Sequence, residues 1–191
     1  MLPSWKSNLL GALRRNRSDP GSRFVQFATV TPDGDPSNRT VVYRGFMPDS
    51  DRLQFVTDIR SDKIAHLEAR PRAAACWYFS KTREQFRITG AIAIVTADSR
   101  DPWQHARNSL WDSLSDNSKL LWYWPQPKGD RAESEAFIRQ VPSSATTPPE
   151  SFGLLVLSPT EVDWLQLRGD PQNRFQYVLT SGGWQGRAVN P

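Results

Sequence analysis

Apolar and polar positions alternate with a period of two in several short runs, each closed by turn residues. Phe24 to Thr31 (FVQFATVT) reads as a strand ending at the turn signal Pro32-Asp33-Gly34-Asp35-Pro36. Arg39 to Phe46 (RTVVYRGF) predicts a second strand, antiparallel to the first, and Leu53 to Thr57 a third beyond the polar turn Pro48-Asp49-Ser50-Asp51. The period then changes. Phe55 to Pro71 reads FVTDIRSDKIAHLEARP: a strand end, a turn at Asp58-Ile59-Arg60, and a helix with Ser61 as its N-cap and Lys63 in its first turn. Ile64 and Leu67, with Ala65 and Ala69 beside them, give that helix a buried face. Pro71 ends it near Ala69 by pushing Arg70 out of the α region. A strand running into a helix start that carries a hydroxyl and an ammonium can hold a phosphate. An ordinary strand–helix connection has the same pattern.

Further along, Ala73 to Phe79 reads as a buried strand. Glu84 to Thr96 alternates with Phe86, Ile88, Ile92 and Ile94 on one face and a bulge expected at Gly90. A helical region follows. Asp101 is placed as an N-cap with Pro102 at the first helical position, Ser115 to Trp122 predicts a second short helix, and Ala132 to Arg139 a third. Val141 to Ser151, rich in Pro, Ser and Thr, predicts a surface loop. Phe152 to Val156 and Glu161 to Leu167 predict two strands around the turn Ser158-Pro159-Thr160. Arg174 to Thr180 and Trp184 to Ala188 predict a hairpin across Ser181-Gly182-Gly183. Ahead of all this, Trp5, Leu9, Leu10 and Leu13 fall at helical spacing opposite Lys6, Arg14 and Arg15, an amphipathic helix to be packed on the domain. The sum is one mainly β domain over residues 1–191: an antiparallel β-barrel with an N-terminal helix within 1–20 and a helical insert over 101–140.

Composition narrows the function classes. The 38% hydrophobic and 23% charged content of 191 residues fits a globular chain, and no stretch has the length of a membrane span. The N-terminus lacks the apolar core of a secretory signal, and the single Cys76 excludes an intramolecular disulfide framework; both predict a cytoplasmic protein, with Cys76 a buried inert thiol. His66 and His105 are the only histidines, so no metal cluster and no hydrolytic triad is expected. A net charge of +4 and a pI near 9.5 suit an anionic ligand but do not make a nucleic-acid or membrane partner.

From Phe24 to the C-terminus, five motifs in order resemble the pyridoxamine 5′-phosphate oxidase-like family of FMN-binding split barrels. Arg39-Thr40-Val41-Val42-Tyr43-Arg44 is similar to the family strand whose arginine holds the flavin phosphate and whose backbone lies along the isoalloxazine. Val56 and Thr57 resemble the pair that contacts the flavin at a strand end. Ser61-Asp62-Lys63 resembles Ser-Arg-Lys, which gives Lys63 the phosphate and leaves Asp62 as a departure expected to face solvent. Gln85, in Glu84 to Gly90, sits where a glutamine hydrogen-bonds the ring, and Gln126 resembles a further phosphate-side glutamine. Trp164 and Arg174, ten residues apart, resemble a tryptophan and arginine at the flavin, the cation stabilising the reduced ring.

The resemblance implies a Greek-key FMN-binding split barrel, a homodimer with FMN at its interface, and an oxidoreductase whose small-molecule substrate passes hydride to flavin N5, with reoxidation by oxygen. Pyridoxamine or pyridoxine 5′-phosphate is the implied substrate, with Arg44 and Arg107 as candidate substrate-binding cations. Asp170 and Gln172 stand where the oxidases have a substrate-gripping Arg-x-His. That departure leaves room for an FMN-dependent reductase of another small molecule, using a nicotinamide or deazaflavin donor. A non-catalytic FMN- or haem-binding protein, or a basic nucleic-acid module, are the readings from other classes.

Overall fold

The computed structural model describes residues 4–142 and 146–191; positions 1–3 of the expected N-terminal segment and 143–145 of the expected loop lie outside the described residues. The described residues form eight strands, seven of them close to where the alternation puts them: β1 (Phe24–Val30), β2 (Pro36–Phe46), β3 (Leu53–Asp58), β4 (Arg72–Phe79), β5 (Glu84–Val95), β6 (Phe152–Gln166), β7 (Asn173–Thr180) and β8 (Gly183–Val189). They form one antiparallel sheet in the order β3-β2-β1-β4-β5-β6-β7-β8, and β3 pairs back with β6. Six strands thus close into a barrel, with the β7–β8 hairpin continuing past the seam.

The seam depends on β6. The sequence predicted two strands there; the structure has one of 15 residues. Its first half pairs with β3 from Leu53↔Leu157 to Asp58↔Phe152, and its second half pairs with β7 from Glu161↔Val178 to Gln166↔Asn173. Between the halves, Thr89 faces Glu161 while Gly90 faces Pro159, so the ladder with β5 slips by one residue. Pro159, which cannot donate to a ladder, is tolerated at that bulge. Gly90 is where its partner strand must come close: a Cβ built there would lie 2.1 Å from the Ser158 carbonyl oxygen.

The barrel interior is aromatic. Phe27, Phe55, Trp77, Phe79 and Phe86 are fully or almost fully buried, each contributing on the order of 2–3 kcal/mol by area removed from water. Helix α1 (Trp5–Arg15) packs onto this core with Trp5, Leu9 and Ala12, and Trp5 meets Phe46 and Trp184 at 6.0 and 5.4 Å between centroids. Leu10, expected on the buried face, is 46% exposed. Arg15 pins the helix through a 2.7 Å ion pair to the buried Glu84.

Helix α2 (Lys63–Ala69) ends where Pro71 predicted. Its buried residues are Ile64, His66 and Leu67, while Ala65 and Ala69 are exposed. The cap position falls to Asp62, without a capping hydrogen bond, rather than to Ser61. Helix α3 (Trp103–Asp112) starts one residue later than expected, after Pro102 instead of on it. Leu110 and Trp111 of α3 form a second core with Trp122, Phe152, Leu154 and Val156 on the outside of the barrel wall. Ser115 caps the short α4 (Asp116–Lys119), which runs into a 3₁₀ turn, Leu120–Tyr123. The predicted helix over 132–139 is reduced to a single 3₁₀ turn, Ser134–Ala136: with its residues all half-buried or exposed, no packed face supports a longer helix. No helix among the described residues is long and apolar enough to cross a membrane.

Candidate functional site

Strand β3 delivers Thr57 and Asp58 to a tight corner. The Asp58 carboxylate accepts the Arg60 backbone N–H at 2.8 Å and the Arg60 guanidinium at 2.6–3.2 Å, fixing the turn. The Asp58 carbonyl accepts the Ser61 N–H at 3.2 Å and the Ser61 hydroxyl at 2.5 Å. Lys63 folds back over this turn and donates to Thr57 Oγ1 at 3.1 Å and Ser61 Oγ at 2.5 Å. Because α2 has only seven residues, the side chains of this corner supply most of its anion-binding capacity, and the helix end little.

Arg39 reaches the same corner from β2. Its guanidinium donates to the Phe27 carbonyl at 3.0 Å, Thr29 Oγ1 at 2.7 Å and Ser37 Oγ at 2.7 Å. Thr29 also lies 3.0 Å from Nδ1 of the buried His66. Burial first, and then the neighbouring Arg39 charge, pull the Lys63 ammonium below its ordinary pKa, against Asp58 and Asp62. Burial likewise lowers Arg39, with Asp62 opposing. Among the described residues neither cation has a carboxylate ion pair. Two half-buried cations with adjacent hydroxyls and no counter-ion form a donor set that fits a phosphate dianion. Asp62 is exposed, as expected, but it meets Lys128, whose hydrogen bond holds its carboxyl below the usual range.

The loop bearing Gln126 adjoins this corner. Arg60 donates to the Trp124 carbonyl at 3.0 Å, Trp122 Nε1 to the Thr57 carbonyl at 3.1 Å, and Gln126 itself is exposed. Along β2, Thr40 and Val42 face outward, Val41 is buried in the core, and Val56 on β3 packs against the second core.

A second polar patch covers the outer face of β5, β6 and β7. There Asp163 accepts from Arg174 at 2.8–3.2 Å, Arg87 at 2.8 Å and Gln176 at 3.3 Å. Burial alone would raise the Asp163 carboxyl, but the bonds from Arg174, Arg87 and Gln176 outweigh it and hold it below the ordinary value. A depressed carboxyl stabilises the fold above its unfolded pKa, and that contribution disappears as pH falls through the folded value. Asp163→Asn should therefore melt below wild type at pH 7, with the gap beginning to narrow below about pH 4 and narrowing further as pH falls through the depressed folded value; a gap that does not shrink on acidification would refute the ionised role. Gln85 lies on this same outer face, half-buried, with Leu165 its partner across the ladder. Cys76, expected to be buried, is half-buried there, and burial raises its thiol against the pull of Arg87.

Four sequence candidates are brought together at the corner: Arg39, Thr57, Ser61 and Lys63. Trp164 and Arg174 are not. Leu165, not Trp164, faces Arg174 across the ladder, so the two side chains leave opposite faces of the sheet. Trp164 is 7% exposed, stacked on Phe86 and Phe175, and donates to Glu84 at 3.2 Å. Arg107 is also interior at 2% exposure. Its guanidinium donates to the Phe152 carbonyl at 2.9 Å and the Pro149 carbonyl at 2.7 Å, so it holds a loop and does not open onto a ligand surface. Thr29, Arg60, His66 and Asp163 were missed. His66 follows Lys63 by three residues on a helix, the one local signal that could have marked it.

Comparison with known proteins decides the lineage. A family model described as pyridoxamine 5′-phosphate oxidase, FMN-binding domain, matches residues 2–96. A curated protein of Arabidopsis thaliana, pyridoxine/pyridoxamine 5′-phosphate oxidase 2, is 41% identical over 98% of this chain and 96% of its own length. The chain belongs to the pyridoxamine 5′-phosphate oxidase family. As a member it is an FMN-binding protein, and the closed antiparallel barrel is the family's split barrel. A crystal structure of a pyridoxamine 5′-phosphate oxidase-related, FMN-binding protein from Nostoc punctiforme superposes with a TM-score of 0.94, at 43% identity and full coverage of both chains. PhzG from Burkholderia lata, solved with tetrahydrophenazine-1-carboxylic acid, has a TM-score of 0.77 over 99% of this chain and 94% of its own at 20% identity, a likeness of fold.

Proposed function

We propose that this family member is an FMN-dependent oxidase of a small molecule, with pyridoxine or pyridoxamine 5′-phosphate as the candidate substrate. The observation that carries the reading is the corner where Arg39 and Lys63 converge without a counter-ion. In this reading Arg39, Lys63, Thr57 and Ser61 hold the flavin phosphate, the outer edge of β2 at Thr40 and Val42 lies along the ring, and Val56 backs it. Gln126 closes the corner from its loop. Bound FMN supplies the hydride acceptor, and oxygen restores it.

Gln85 and Arg174 lie on the outer face of the sheet, away from the corner of their own chain, which supports a homodimer in which the patch of one copy faces the corner of the other. Exposed Phe24, Tyr78 and Val178, at 51%, 48% and 48%, give that face apolar area to cover. Size-exclusion chromatography with light scattering should report twice the 21.7 kDa chain mass, and a monomer at micromolar concentration would count against the interface.

The purified protein should be yellow, and anaerobic mixing with pyridoxine 5′-phosphate should bleach the flavin. Absence of bleaching by both phosphorylated vitamers would sink the oxidase reading. A second reading, an FMN-dependent reductase of another small molecule, draws on one loop. Asp170 is exposed, and the Gln172 amide turns back to the Leu167 carbonyl at 3.4 Å. A flavin reduced by a nicotinamide or deazaflavin donor, and not by the vitamers, would favour it.

A further inference from the structure

Two polar side chains occupy positions where the pattern calls for apolar ones. Val25, Phe27 and Thr29 follow one another on the buried face of β1, and His66 lies between Ile64 and Leu67 on the buried face of α2. Thr29 is 3% exposed and His66 8%. Burying polar groups costs stability unless they are bonded. These two are bonded to each other, with Thr29 Oγ1 3.0 Å from His66 Nδ1. Whichever way the proton runs, the contact fixes the position of the hydroxyl oxygen.

The same oxygen holds Arg39. Nη1 of the guanidinium donates to it at 2.7 Å and to the Phe27 carbonyl at 3.0 Å, while Nη2 donates to Ser37 Oγ at 2.7 Å. A guanidinium has five N–H donors in one plane. Three bonds fix that plane, and two donors, one on Nε and one on Nη2, stay uncommitted among the described residues. A rigid pair of donors matches two oxygens of one phosphate. The neighbouring Lys63 charge repels the guanidinium, so its orientation depends on these anchors. Thr29 is the anchor that the packing of α2 on β1 holds in place.

We propose that His66 is a positioning residue for the flavin phosphate: through Thr29 it holds the Arg39 guanidinium so that its two free donors face the phosphate. The proposal rests on reading the Arg39–Lys63 corner as the FMN phosphate site, and adds the device that orients its arginine. Helix α2 then serves the corner twice, directly through Lys63 and, about one turn on, from behind through His66.

The test is titration of the apoprotein with FMN and with riboflavin, read by quenching of flavin fluorescence. Thr29→Val should weaken FMN binding about tenfold, the loss of one charged hydrogen bond, and leave riboflavin affinity unchanged. His66→Leu should act in the same direction. The double variant should lose no more than Thr29→Val alone, because both changes break one chain of contacts. Thr29→Ser, which keeps the hydroxyl, and His66→Asn, which returns a polar atom close to the place of Nδ1, should bind FMN nearly as wild type. Wild-type FMN affinity in Thr29→Val and His66→Leu, with Arg39→Ala still losing FMN, would overturn the positioning role and leave the corner as the cofactor site. Wild-type affinity in Arg39→Ala as well would overturn the corner reading and the proposal with it. Losses that add in the double variant, or that fall equally on riboflavin, would reduce the two residues to packing and overturn the proposal. Should His66→Leu not fold, His66→Gln takes its place, since its amide reaches towards the place of Nε2 and not Nδ1; wild-type FMN affinity there would overturn the role of Nδ1.

Discussion

Replacing Arg39 and Lys63 together by alanine should release the flavin. The two cations share one corner, each already depressed by burial, and neither has an ionic partner among the described residues to fall back on. A hydrogen bond to a charged group is worth about 1.5–3 kcal/mol, so losing one from each side chain should weaken FMN roughly a hundredfold to ten-thousandfold. Quenching of flavin fluorescence by apoprotein measures this directly. Wild-type affinity in the double variant would remove the corner from the cofactor site. The fold should survive, since the bonds lost inside the protein are those of Arg39 to Phe27, Thr29 and Ser37 and of Lys63 to Thr57 and Ser61. Circular dichroism of the variant should therefore match wild type. Lys63→Arg, which keeps a cation in the corner, should retain most of the flavin.

Gly90→Ala should be the most destabilising conservative change in the barrel. The added methyl would meet the Ser158 oxygen and carbon and Pro159 Cα at 2.1, 2.7 and 2.8 Å, all of them backbone. No side chain can rotate away, so the strand pair itself must part. Overpacking typically costs 1–3 kcal/mol, and a backbone clash at a bulge belongs at or above the upper end, roughly 3 kcal/mol or more. Gly153→Ala is the internal comparison. Its methyl would meet Ile59 Cγ2 at 2.4 Å, a side-chain methyl that a χ1 rotation can move, with the nearest backbone atom, the Val95 oxygen, at 3.3 Å, so it should lose less. Urea midpoints of the two variants give the ordering, and Gly90→Ala equal to wild type would contradict the close approach of β5 to β6.

Much of the fold was legible because alternation reports which strand face is buried, and seven of its strands lie close to where the pattern puts them. The misreadings have physical causes. Pro159 looks like a strand breaker, yet it sits at a bulge where no ladder bond from its nitrogen is needed, so two short strands were expected in place of β6. Residues 132–139 have helix-forming composition but no packed face, and propensity alone sustains only Ser134–Ala136.

The corner was readable for a similar reason: Thr57, Ser61 and Lys63 lie within one strand–turn–helix, and only Arg39 comes from elsewhere. Thr29 and His66 were invisible because their contact needs the packing of α2 on β1, a long-range fact. The pairing of Trp164 with Arg174 came from the resemblance to the family, in which a tryptophan and an arginine stand ten residues apart. Register across the β6–β7 ladder, which no spacing along a single chain reveals, sends them to opposite faces.

The handover within β6 also dictates an order of events as the chain matures. Thr57 and Asp58, on which the corner is built, pair with Gly153 and Phe152 at the seam, across the whole stretch of chain between β3 and β6. Contacts so distant in sequence form late. On the proposed assignment of this corner to FMN, a nascent chain has no cradle for its cofactor until the second half of the protein has been made and the seam has shut. Flavin pickup is then a late event that locks a closed barrel, and free FMN should raise the melting temperature of the apoprotein in proportion to the logarithm of its concentration.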